Sequence, residues 1–174
     1  NHRYTADLVS FVVAENNSLI PLVMGSNIDP IDLLAHNFVG DYIDCKQEKN
    51  HLLDTALLYL NAPYLWGGKT PFGIDCSGFA QMVYKINGYD LLRDAAQQAT
   101  QGEPLSFIEE SEPGDLAFFD NKEGVINHVG IIMQDNYIIH SHGKVRIDRL
   151  DHTGIFNTDT KTYSHKLRVI KKII

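Results

Sequence analysis

The chain contains only two cysteines, and the second, Cys76, sits between Asp75 and Ser77 in the stretch YLWGGKTPFGIDCSGF. A cysteine can pack as a small hydrophobe, join a disulfide, bind a metal or attack a carbonyl carbon. Asp75 is a good helix N-cap, and from Cys76 onward Phe79, Val83 and Ile86 fall on one helical stripe with the thiol. Cys76 is therefore expected in a first helical turn, where the positive end of the helix favours a thiolate and lowers the thiol pKa. Packing alone gives no reason for flanking Asp, Ser and Gly residues, and Gly78 admits a close neighbour. These features point to a nucleophile. A bridge to Cys45 would leave neither thiol free.

A thiol nucleophile needs a base, and that base needs a third group to orient it. His128 opens the run NHVGIIM, in which Val129, Ile131 and Met133 alternate to one strand face and His128 and Gly130 to the other. Gly130 clears room on that face, for example for a helix end carrying the thiol. His140 and His142 lie two apart in YIIHSHG and share a face. His140 follows an apolar pair inside the strand and is assigned to orient His128, whereas His142 abuts the turn and is expected to be solvated. Cys76, His128, His140 and His142 could in principle ligate zinc, but the chain has no His-Glu-x-x-His or Cys-x-x-Cys motif. No metal and no cofactor is assigned.

The elements that must carry these groups follow from periodicity. In HLLDTALLYLNAP, Leu53, Leu57 and Leu60 recur at helical spacing and Pro63 ends the helix. The helix from Cys76 stops at Gly88, and a third, shorter one is expected in RDAAQQATQG. Beyond EPG the pattern becomes strands: DLAFF, HVGIIM, YIIHSH, KVRID and KLRVIKKII, separated by turn clusters. Helices followed by strands define an α+β class with an antiparallel sheet. Residues 1–45 read as a separate β-rich segment and 46–174 as the main domain, with CKQEKN as the linker. Net charge is −7 over 174 residues, which supplies neither a nucleic-acid surface nor a polybasic lipid patch. No apolar run reaches the ~20 residues of a membrane span.

Taken in order, Tyr-x-Trp-Gly-Gly (64–68), Asp-Cys-Ser-Gly-Phe (75–79), Pro-Gly-Asp-Leu-x-Phe-Phe (113–119), His-Val-Gly-Ile (128–131) and Ile-His (139–140) resemble the NlpC-type cell-wall cysteine peptidases over about residues 50–150. The resemblance implies a papain-like catalytic domain with an N-terminal SH3-like piece that narrows the cleft. It also implies hydrolysis of peptidoglycan stem peptides beside D-glutamate, in the bacterial envelope, periplasmic or extracellular. By position, Cys76 matches the nucleophile, His128 the base and His140 the third polar residue. Tyr64 matches the tyrosine lining the oxyanion region and Asp94 the acidic residue that binds substrate. Asp75 and Ser77 are assigned with them to the oxyanion and substrate-binding set. In the branch that trims released muropeptides the acid pairs with the free amine of a leading L-alanine; that branch commonly carries Ser next, where this chain has Ala95. Trp66 is expected to pack within its loop and Asp115 to be a turn residue. Alternatives are general hydrolysis of intact peptidoglycan, a papain-like acyltransferase and a non-catalytic wall-binding module. The order of Cys76 before both histidines disfavours the permuted acyltransferases.

Overall fold

The computed structural model describes residues 2–174. Five short strands come first: β1 (Tyr4–Thr5), β2 (Val9–Val13), β3 (Leu19–Val23), β4 (Asn37–Val39) and β5 (Tyr42–Ile43), with a 3-10 turn at Asp29–Leu34. They form a three-stranded sheet, β3-β2-β4, and a β1–β5 pair. Their own core is small: Val12, Ile28 and Ile31, with Leu22 and Phe38 packed alongside. The expected apolar strands are thus present, and their own core is too small to stand alone.

The second unit supplies what the first lacks. Helix α1 (His51–Leu58) precedes two short strands, β6 (Lys69–Thr70) and β7 (Gly73–Ile74); α2 (Cys76–Ile86) and the single-turn α3 (Ala95–Gln98) follow. Asp75 caps α2 by accepting the Gly78 N–H at 2.6 Å. The remaining strands are β8 (Glu103–Leu105), β9 (Leu116–Asp120), β10 (Ile126–Ile132), β11 (Tyr137–His142), β12 (Lys144–Leu150), β13 (Gly154–Asn157) and β14 (Thr162–Lys172). Strands β9 to β13 each pair antiparallel with the next, β13 pairs with β14, and β14 returns to β9. The expected antiparallel sheet is therefore closed into a six-stranded barrel, and β8 extends the free part of the β14 edge.

Closure gives the two strand faces different surroundings. Leu116, Phe118, Val129, Ile131, Ile139 and Val145 face α1 and α2 in a core with Leu52, Ala56, Phe79 and Val83. Ala117, Phe119, Ile132, Ile138, Leu150 and Ile155 form a second cluster on the other face. His128 stands opposite Phe119, and His165 opposite Ile155. Alternation adds His140 and Asp148 to the face of Ile138 and Leu150, so four polar residues share the barrel interior with its apolar filling.

The N-terminal unit docks on the far end of α2. Met24 is fully buried in the main core. A Cβ on Gly25 would meet the Met82 and Ile86 side chains, at 2.2 and 3.3 Å. Lys85 reaches the Gly25 carbonyl at 3.3 Å and lies over the Tyr4 ring. Ile86 is about 15 Å along the helix from Cys76, and among the described residues none before Tyr64 lines the cavity beside Cys76. The apolar surface of this piece is used to brace a helix end. Met24→Ala should lower unfolding free energy by ~2–4 kcal/mol in urea denaturation, because it opens a cavity at that junction. An unchanged midpoint would show that the junction does not brace the core.

Candidate active site

Cys76 occupies the first turn of α2 and is mostly buried. Its thiol lies 3.9 Å from the Asn127 carbonyl, its hydrogen-bond acceptor. Cys76 lines a cavity of about 330 Å³ together with Tyr64, His128, His142 and His165. His128 Nε2 lies 2.8 Å from His140 Nδ1, and His140 Nε2 lies 3.1 Å from Asp148 Oδ2. Asp148 in turn receives Arg146 Nε at 2.6 Å. His165 stacks on His128 with ring centroids 4.0 Å apart. A thiol, an imidazole with one ring nitrogen tied behind it, and a phenol thus line one small space. Such an arrangement can add sulfur to a carbonyl and move the proton.

Backbone straps hold the helix-borne half against the barrel-borne half. Asn61 N–H donates to the Val145 carbonyl and Val145 N–H returns the bond to Ala62, at 2.9 and 2.8 Å. Tyr64 N–H donates to Gly143 O at 3.0 Å, and the Ser141 hydroxyl donates to Ile74 O at 2.8 Å. Gly130 is required for a different reason from the expected one. A Cβ there would lie 2.7 Å from Ile138 Cδ1 and 2.9 Å from His140 Cβ, so it makes room for the neighbouring strand rather than for the helix.

Asp75, Ser77, Trp66 and the thiol each differ from expectation. Asp75 accepts from Gly67 N–H (2.9 Å), Gly78 N–H (2.6 Å) and both ends of the Arg93 guanidinium (2.7 and 3.1 Å). Ser77 Oγ accepts from Arg93 at 3.0 Å. Both side chains are engaged in fixing the loop and the start of α2, and neither lines the cavity. Trp66 is 86% exposed, because the chain turns outward at Gly67 with φ +78°. The thiol is not lowered: burial pushes Cys76 up, against the amides of Val129, Ser77 and Cys76 itself. Burial likewise holds His128 well below the ordinary imidazole range, and His140, His165 and His142 add to the effect.

The other residues fall as follows. Asp94 is exposed and caps α3, its N–H donating to Gln97 Oε1 at 3.1 Å. It lies outside the residues lining the cavity, one position from the Arg93 that braces Asp75. His142 is exposed yet lines the cavity. Asp115 is a buried turn residue paired with Lys49 at 2.7 Å. Cys45 and Cys76 are both free thiols. Nitrogens of His128, His140 and His165 lie within 4.8 Å of one another, the closest approach to a metal cluster among the described residues. Two of those nitrogens are already bonded to each other. Asp148 and His165 were not singled out from sequence. A hairpin that turns about Gly143 pairs His140 with Arg146 and brings Asp148 near, whereas nothing local reveals His165.

A thiol on a helix N-terminus facing an imidazole relay in a β-barrel defines a papain-type cysteine hydrolase site. The NlpC/P60 family model matches residues 61–164, more than half of the chain. This chain belongs to the NlpC/P60 family of cysteine peptidases. It is 39% identical over 133 residues to the gamma-D-glutamyl-L-lysine dipeptidyl-peptidase of Bacillus subtilis (strain 168), covering 71% of this chain and 45% of that protein. The Bacillus cereus (strain ATCC 10987) protein of the same name is 38% identical over 92 residues, or 52% of this chain and 27% of its own. The chain thus spans less than half the length of these curated relatives. A crystal structure of an NlpC/P60 family protein from Bacillus cereus ATCC 10987 superposes with TM-score 0.81 at 21% identity, covering 99% of this chain and 63% of that one, which shows a shared fold. The NlpC/p60 domain of the peptidoglycan hydrolase SagA matches at 30% identity and TM-score 0.53, over 59% of this chain and 89% of that one.

A raised thiol beside a lowered imidazole means that both are neutral at rest near pH 7. In a Cys45→Ser background, alkylation of Cys76 by iodoacetamide should rise with pH and still be climbing at about pH 9, above the midpoint of an ordinary thiol. A rate that is flat from about pH 5 upward would reveal a resting thiolate–imidazolium pair instead.

Proposed function

We propose that this chain is the peptidase domain of an enzyme that cleaves the γ-D-glutamyl–diamino acid bond of peptidoglycan stem peptides, working in the bacterial envelope. The observation that carries the reading is the cavity where Cys76, Tyr64 and His128 meet, with His128 tied to His140 at 2.8 Å. Cys76 Sγ attacks the γ-glutamyl carbonyl while its proton passes to His128 Nδ1, the ring nitrogen not engaged with His140. The oxyanion is met by the Cys76 backbone N–H and the Tyr64 hydroxyl; one such donor is worth ~3–4 kcal/mol of transition-state stabilisation. His128 then protonates the leaving amine, the thioester forms, and a water activated by His128 hydrolyses it. No step needs a metal or cofactor.

The name shared by the two Bacillus relatives supports a substrate with γ-D-glutamate followed by a diamino acid, and a cut that releases a dipeptide. Asp94 is the group assigned to the free amine of the leading L-alanine. It follows in sequence the Arg93 that holds Asp75. A carboxylate facing an acylated terminus would be left desolvated and unpaired, which favours free peptides over intact wall. Residues 2–45 are read as an SH3-like brace for this domain.

Cys76→Ala should lose more than about 10⁴-fold in kcat/KM toward L-Ala-γ-D-Glu-L-Lys while keeping its melting temperature, with products followed by mass spectrometry. Full activity in that variant would end the peptidase reading, whereas unchanged activity in excess chelator is expected. For substrate choice, the free tripeptide should be cleaved at least about tenfold better than its N-acetyl form, and Asp94→Asn should erase the difference. Equal cleavage of the two peptides by the unmodified protein would favour general wall hydrolysis.

A further inference from the structure

We infer that Asp148 is a positioning residue that dictates, through His140, which ring nitrogen of His128 carries the proton. The inference rests on His128 being the base of the proposed reaction, and it follows from counting donors around one buried carboxylate. Asp148 is fully buried. Its Oδ1 accepts from Arg146 Nη2 at 2.9 Å, the Thr158 N–H at 3.1 Å and the Thr158 hydroxyl at 3.2 Å. Its Oδ2 accepts from Arg146 Nε at 2.6 Å and lies 3.1 Å from His140 Nε2.

A carboxylate only accepts, so His140 must present its proton at Nε2. A neutral imidazole has one N–H, which leaves His140 Nδ1 bare and able only to accept. Its partner at 2.8 Å is His128 Nε2, which must therefore donate. The single proton of His128 is then on the nitrogen tied to His140, and Nδ1, the nitrogen assigned to the thiol in the proposed reaction, keeps the lone pair that a base needs. The opposite tautomer would aim an N–H at the thiol and leave no site to receive its proton. The order of donors thus runs one way, from His128 through His140 to Asp148.

Asp148→Asn keeps the shape and reverses the order. The amide oxygen is best placed at Oδ1, where three donors converge, so the NH2 group takes the Oδ2 position, gives up the bond from Arg146 Nε and donates to His140 Nε2. His140 must then carry its proton at Nδ1 and donate to His128 Nε2, which puts the His128 proton at Nδ1. A wrong tautomer of the base in a comparable triad costs ~10⁴-fold in kcat.

The test uses the full chain with 15N-labelled imidazoles, reading the tautomer of His128 and His140 from their ring-nitrogen shifts near neutral pH. Both should be Nε2–H in the unmodified protein, and both Nδ1–H in Asp148→Asn, whose kcat on the tripeptide should fall roughly 10³- to 10⁴-fold with little change in KM. Arg146→Gln, which keeps the carboxylate, should retain the Nε2–H form. A His128 found as Nδ1–H in the unmodified protein overturns the inference. So does an Asp148→Asn protein that keeps kcat within about threefold, or one that loses activity with its tautomers unchanged, since the carboxylate would then be only a brace. If Asp148→Asn does not fold, the unmodified and Arg146→Gln spectra decide. Because the shifts are read without turnover, failure here is distinct from failure of the peptidase reading.

Discussion

Burial is the constraint on which this site depends. His128 is 5% exposed, and His140 and Asp148 not at all. An unpaired polar atom in such a place costs ~1–3 kcal/mol, more if charged. The chain answers by setting each group against the next, and by ending the row at an arginine that reaches outward to Asp159 at 2.9 Å. Burial alone would raise the Asp148 carboxyl, but bonds from His140, Arg146 and Thr158 outweigh it and hold it well below the usual carboxylate range. An ionised carboxylate at the closed end of the row gives the imidazoles a direction. Arc-like contacts from Phe119 and His165 around the His128 ring then limit how it can turn.

The thiol is fixed by a separate device, which has to bring a helix to the mouth of a barrel. Asp75 gathers the loop, the helix start and Arg93 into one ion-paired knot, buried on its carboxylate side. Gly78 allows this knot to be tight: a Cβ there would lie 2.5 Å from Gly68 O and 2.7 Å from Asp75 Oδ1. The straps at Ala62, Tyr64 and Ile74 then tie that loop to the β11–β12 hairpin, the same hairpin that carries His140 and Asp148. One hairpin therefore positions the relay on its inner side and the thiol-bearing loop at its end. Rigid elements hold both halves, which is what a reaction sensitive to ~1 Å of displacement requires.

Local rules were enough to read the main helices and most barrel strands from sequence, and to single out Cys76 and His128, which the structure brings to one cavity. Asp75 as an N-cap predicts where α2 starts, and alternation in NHVGIIM puts His128 on the face away from the helix core. The family likeness then follows from spacing, and the model match bears it out. The rest depends on distant pairing. Whether β14 closes on both β9 and β13 cannot be read from its own residues, yet that closure is what stacks His165 on His128 across 37 positions of chain (165 − 128). Asp75 and Ser77 looked like substrate groups because they flank the thiol. In the fold their oxygens turn toward Arg93, a partner 18 and 16 residues away. Burial, which no single stretch of sequence specifies, also reverses the sign expected for the thiol.

That reversal changes how the proposed reaction must run. A helix N-terminus favours a thiolate by ~0.3–1 kcal/mol at an exposed site, and each unit of pKa shift is worth ~1.4 kcal/mol. Here burial acts on both partners in the same sense, since it raises the thiol and lowers the imidazole, and each shift disfavours the ion pair. Charge separation at rest therefore has little to offset it. When a carbonyl carbon enters the cavity, the negative charge no longer stays on sulfur but moves to the carbonyl oxygen, toward the Cys76 amide and Tyr64. The positive charge on His128 is met at the same moment by the row ending in Asp148. Both charges acquire partners only while substrate is bound, so the nucleophile is made by the reaction it performs. A buried, neutral Cys76 is in this way kept from other electrophiles, while the exposed Cys45 has no such protection.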